Sequence, residues 1–144
     1  MLNCGSEAPA DEPAAERHLG VVARVEPSNP ASPSCPASPG REVQFSRDVQ
    51  PILMSTCSGE FCHGLAMTSA SRAYAFLVNQ SSFECDGLRP LVTPGDPDRS
   101  YVMDKVLGRN LCAGHAMPRG LENRLSGDEV RTLTRWICEG APND

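Results

Sequence analysis

An all-α fold is what this sequence predicts: one small helical domain with long loops, carried on a tail that does not fold by itself. Three observations lead there. Four segments between residue 42 and the C-terminus repeat apolar residues at helical spacing, and no segment sustains the alternation of a strand. Residues 1–41, by contrast, are rich in Pro, Ala, Ser and Glu, as in Glu26-Pro27-Ser28-Asn29-Pro30-Ala31-Ser32-Pro33. Such a composition buries too little apolar surface to offset the entropy of ordering, so it reads as a tether. His18-Leu19-Gly20-Val21-Val22-Ala23-Arg24-Val25 is its one apolar patch. With 144 residues, the chain has room for this tether and one domain with a modest core, placed at residues 42–144.

The helices follow in order. Asp48 is the expected N-cap of the first, with Pro51 in its opening turn. Val49, Ile52, Leu53 and Thr56 then form an apolar face that runs into Cys57. The second is expected from Ser69 to Val78, with Ala73, Phe76 and Leu77 on its buried side. A third follows Asp96-Pro97-Asp98, carries Tyr101, Val102, Val106 and Leu107, and stops at Gly108. The last is the clearest: Ser126 and Glu129 make a capping box, Val130, Leu133, Trp136 and Ile137 supply the face, and Gly140 ends it.

Charge and cysteine usage narrow the function. A net charge of −5 and a pI near 5.2 leave no basic footprint for nucleic acid or an anionic membrane. Lys105 stands alone as a lysine in the predicted domain, which argues against a basic docking face. No apolar run is long enough to span a bilayer. Seven cysteines in so short a chain indicate an oxidising compartment, periplasmic or extracellular. Met1-Leu2-Asn3-Cys4-Gly5 has neither the basic start nor the apolar core of a signal peptide. Leu2-Asn3-Cys4-Gly5 does look like the end of a lipoprotein cleavage box, which makes Cys4 a candidate lipid anchor and the sole expected link to a membrane.

The chemistry is expected at Cys57-Ser58-Gly59-Glu60-Phe61-Cys62-His63-Gly64. A histidine directly after the second of two thiols is what covalent haem attachment requires. Each sulfur adds across a porphyrin vinyl group, and the adjacent imidazole ligates the iron. The usual spacing is C-x-x-C-H, whereas four residues separate these cysteines; Ser58-Gly59 offers the flexibility for a wider loop. Two alternatives stay open. A Cys57–Cys62 disulfide would leave a haem-free, disulfide-stabilised interaction module of an envelope lipoprotein. A zinc ion could take Cys57, Cys62, His63 and His115.

A helix leading into this loop, and an amphipathic helix closing the chain, resemble the layout of c-type cytochromes. More particularly, Phe45-Ser46-Arg47-Asp48-Val49-Gln50-Pro51-Ile52-Leu53, the Cys-His-Gly loop, Pro94-Gly95-Asp96-Pro97, Met117-Pro118 and Trp136-Ile137 with Gly140-Ala141-Pro142 resemble the planctomycete-type cytochrome c domains. Similar domains occur in secreted proteins and lipoproteins of myxobacteria. The likeness covers residues 43–144. It implies a cytochrome c-like fold in which first and last helices cross, and one covalent haem c held by Cys57 and Cys62. It also implies His63 and Met117 as axial ligands to the iron, and single-electron transfer to redox partner proteins.

His115, two residues before Met117, is the competing distal ligand, and Met103 is the fallback. Tyr101 and Arg119 are candidate hydrogen-bond partners for propionates. Trp136 is expected either behind the haem or in the helix crossing. Cys85 and Cys112 flank the third helix, and a bridge between them would pin the ligand loop to the body. With Cys4 lipidated and two thiols on haem, Cys35 and Cys138 remain as a second pair. No Ser-His-Asp set, phosphate loop or carboxylate pair is present, so no enzyme activity is expected.

Overall fold

A computed structural model describes residues 34–36, 40–59, 62–120 and 124–144 of the chain. The tether, Cys4 and His18 lie outside the described residues, apart from the short stretch around Cys35. Among the described residues there are four α-helices: α1 (Gln50–Cys57), α2 (Ala70–Leu77), α3 (Tyr101–Leu107) and α4 (Gly127–Cys138). Short 3₁₀ turns at Gly64–Met67 and Phe83–Cys85 lie in the connections. Among the described residues there is no strand, only isolated bridges at Val78–Val92 and Ser81–Pro90. The all-helical expectation therefore holds. Among the same residues, no helix is long and apolar enough to cross a membrane.

The start of α1 departs from expectation. Asp48 does not cap it; a π turn over Phe45–Val49 precedes the helix and already contains Asp48. The Gln44 N–H donates to the Asp48 carboxylate at 2.9 Å, and the Asp48 N–H donates to the Gln44 carbonyl at 2.8 Å. Three further donors in and just before this first turn are satisfied from the far end of the chain. The Asp144 carboxylate accepts from the N–H groups of Phe45 and Ser46, and Glu139 accepts from Val43 N–H at 2.8 Å. A carboxylate at a helix N-terminus satisfies orphan donors and faces the positive end of the dipole. No local sequence signal announces a cap supplied from ninety-nine residues away.

The remaining helices begin and end for local reasons. Ser69 Oγ accepts from Arg72 N–H at the start of α2. Gly108 stops α3 at φ 68°, a left-handed conformation that suits glycine. The Ser126–Glu129 capping box opens α4 as expected.

The core lies where the Phe45–Val49 turn meets α4. Phe45 and Trp136 are fully buried with ring centroids 5.0 Å apart, and Tyr74 of α2 meets Phe45 edge-on at 5.3 Å. The polar ends of the large rings are satisfied by one stretch. Trp136 Nε1–H donates to the Pro142 carbonyl at 3.0 Å, and the Tyr74 hydroxyl donates to the Ala141 carbonyl at 2.9 Å. Trp136 thus belongs to the crossing of first and last elements. Val49, Leu53, Met67, Met103, Leu133 and Ile137 complete the core, so Met103 is a packing residue; Met54 points outward.

Two disulfides between described residues brace this body. Cys85–Cys112 ties the 83–85 turn to the segment after α3, and Cys35–Cys138 ties the end of the tether to α4. Asp104 is buried, paired with Arg89 and with Arg109 at 3.2 Å. Those pairs hold the ends of the long loops on either side of α3.

Candidate functional site

All four helices and the loops between them border one cavity of about 800 Å³, within the size range of cofactor sites. Its wall is mainly apolar, and it brings together Cys57, His63 and Met117. Each arrives by a different route. Cys57 is the last residue of α1. His63 follows a loop folded back on itself, in which the Gly59 carbonyl accepts from the N–H groups of Cys62 and Gly64, both at 3.0 Å. The His63 N–H donates to the Cys57 carbonyl at 3.3 Å, which seats the imidazole beside the helix end. Gly64, at φ 52°, turns the chain away into the next 3₁₀ turn.

Met117 comes from the loop between α3 and α4. Its N–H donates to the Lys105 carbonyl at 2.8 Å, and the peptide to Pro118 is cis. The segment before it is braced from several sides. Tyr101 Oη accepts from Cys112 N–H at 3.2 Å, Lys105 Nζ reaches the Ala113 carbonyl at 3.5 Å, and the 85–112 disulfide closes the group. Lys105 Nζ and Tyr101 Oη also donate to the Glu84 carboxylate, at 2.6 and 2.9 Å. Tyr101, Lys105 and Glu84 all lie on the cavity wall, where they form its polar corner.

The environment bears on each group's protonation. Burial pushes the Cys57 thiol above its ordinary pKa, opposed by the hydrogen bond between it and the Thr56 hydroxyl and aided by the charge of Glu129. His63 has much of its surface open to solvent. Even so, burial of the ring, whose centroid lies 5.3 Å from that of Phe76, pushes its pKa below the ordinary value. The Lys105 charge acts the same way, and Glu84 opposes it. A neutral imidazole has the lone pair that a metal needs. Burial raises the pKa of Glu84, but its bonds to Lys105 and Tyr101 prevail and hold it below the ordinary value.

Other predicted site residues fall elsewhere. His115 is exposed and does not line the cavity, so Met117 is the one of the two on its wall. Arg119 is likewise outside the lining, whereas Tyr101 is within it. Phe76, expected on the buried side of α2, is partly exposed because it borders the cavity. The Cys57 thiol is free, so the Cys57–Cys62 disulfide is not formed. Cys62 is nevertheless disulfide-bonded and does not line the cavity. A sulfur so engaged cannot also form a thioether, so Cys62 as it stands here does not offer a thiol for attachment. Among the described residues, no three His, Cys, Asp or Glu side chains converge as a zinc site requires.

Sequence reasoning missed Lys105, Glu84, Leu65, Phe76 and Phe83 as cavity residues. Only their place in the fold reveals them. Fold and site together define a class: a disulfide-braced all-α domain built around an apolar cavity with a thiol, an imidazole and a thioether on its wall. Comparison with known families, curated proteins and solved structures finds no match for this chain.

Proposed function

We propose that this domain is a monohaem c-type cytochrome that carries single electrons in the cell envelope, with His63 and Met117 as the iron's axial ligands. The observation that supports it is the meeting of Cys57, His63 and Met117 on one apolar cavity of about 800 Å³. Met117 lies far along the chain from the neighbouring Cys57 and His63, and the set suits this cofactor: a thiol to anchor it, and one nitrogen and one sulfur ligand. Haem supplies a one-electron redox centre when bound. The chain's part would be to orient it, offer His63 and Met117 to the iron and keep water away, because a carrier needs a dry, rigid site more than a substrate pocket. Cys57 would anchor the group from the end of α1 by adding its S–H across a vinyl group, and Cys62 would do the same only after a cellular dithiol has reduced its disulfide to two thiols. The apolar wall excludes water, and the Glu84–Lys105–Tyr101 corner braces the Met117 loop. No catalytic group is assigned, and the partners are redox proteins.

A pyridine haemochrome spectrum and the intact mass of protein matured by a c-type system test this reading. Covalent haem is expected, together with the weak long-wavelength band of sulfur ligation, which disappears in Met117→Ala. A colourless product without added mass refutes it. The disulfide at Cys62 favours a second reading, a haem-free interaction module of an envelope lipoprotein. That reading predicts the colourless product.

A further inference from the structure

Phe83 is 98% exposed, yet it lines the cavity. A phenyl ring in water is not unusual by itself, and most surfaces hold some apolar residues. What sets Phe83 apart is how firmly its neighbours are held. Ser82 is buried, its N–H donates to the Arg89 carbonyl at 2.8 Å, and its own carbonyl accepts from Cys85 and Gly87 at 3.2 and 3.0 Å. Glu84 is held by Tyr101 and Lys105, and Cys85 is buried and bonded to Cys112. The backbone of Phe83 is therefore clamped on both sides, and its ring borders the cavity almost wholly exposed. Leu65, 70% exposed, is a second such residue on the wall. Leu88 is 83% exposed but does not line the cavity.

We infer that Phe83 is a binding residue for the cavity's occupant: its ring packs over the exposed edge of the bound haem and shields that edge from water. This rests on the haem reading above. The chemistry is that of an aromatic face against a flat apolar macrocycle, which buries surface on both partners. Solvent exposure is among the factors that set a haem's reduction potential, because the more highly charged oxidised site gains more from hydration. An uncovered edge therefore lowers the potential and opens a path to the iron.

The test uses haem-loaded full chains of the native protein, Phe83→Ala and Leu88→Ala. Because the Phe83 ring touches so little of the protein, its removal is expected to leave the fold in place, checked by circular dichroism. Equilibrium redox titration and the rate of imidazole binding to the ferric protein are the readouts. Phe83→Ala is expected to lower the potential and to raise the imidazole rate several-fold, while Leu88→Ala matches the native protein. Haem-loaded Phe83→Ala that matches the native protein in both readouts overturns the inference and leaves the haem reading standing. Equal changes in both variants also overturn it, since they would mark a general surface effect. A native protein that takes up no haem removes both.

Discussion

The two sides of α1 and α2 are built to different ends. On one side, Phe45, Tyr74 and Trp136 stack against one another, and the main chain of Ala141 and Pro142 satisfies their polar tips. On the other, the same helices leave about 800 Å³ open, bordered by the partly exposed Phe76 and the exposed Leu65 and Phe83. A domain of this size has few apolar groups to spend. Concentrating them at the crossing lets the cavity side carry exposed rings and candidate ligands without unfolding. The disulfide between Cys85 and Cys112 adds covalent support where packing is thin.

The contrast is breakable by substitution. Trp136→Ala should be the most damaging change, costing about 3–5 kcal/mol by loss of burial and a cavity in the crossing. A loss below about 1 kcal/mol in urea unfolding would show that the crossing is not the stabilising side. Next comes the paired change Cys85→Ser with Cys112→Ser, expected to cost about 3 kcal/mol through the freed unfolded chain. Its signature is hydrogen exchange that rises first in the 110–117 segment rather than in α4. Leu65→Ala should stay within about 0.5 kcal/mol in the haem-free chain, because that side chain is mostly in water. A large loss there would mean that the cavity side is packed after all.

The smallest effect is set by pH. Asp48 titrates at about 2, chiefly because Arg47 bonds its carboxylate, with Gln44 N–H helping and burial opposing. A carboxylate lowered in the folded state binds fewer protons there than when unfolded. Its contribution is thus fully present above the ordinary carboxylate pKa and is lost as pH falls towards about 2. Asp48→Asn should flatten the melting-temperature curve between about pH 4 and pH 2 and leave it unchanged near neutrality. An unaltered acid limb would show that the Arg47 pair contributes nothing.

The sequence was informative wherever the controlling interaction is local. The span of α4, its capping box and its end before Gly140 follow from neighbours within one or two turns. Cys85–Cys112 was legible because both thiols flank α3. Asp48 misled because a cap signal was present, while the actual first turn begins at Phe45 under a carboxylate from the C-terminus. The burial of Asp104 has no local signal, because a charged residue on a helix ordinarily faces water and the arginines that neutralise it come from beyond the helix itself. Phe76 was placed on the buried side of α2, since an apolar residue at helical spacing looks the same whether it faces a core or a cavity, and Phe83, in a connection, carried no periodic signal.

By itself, then, the sequence determined four helices, an all-α class and the small set of thiols, histidines and methionines from which a site can be drawn. Periodicity and capping are properties of adjacent turns, and residue identity needs no fold. Only the tertiary structure decided which of those groups meet: Met117 on the cavity wall and His115 off it, Cys57 free and Cys62 bonded, Trp136 in the crossing. That choice depends on how distant segments reverse and dock, through the Asp144 cap, the disulfides and the aromatic packing. These contacts join residues too far apart for any local pattern to encode.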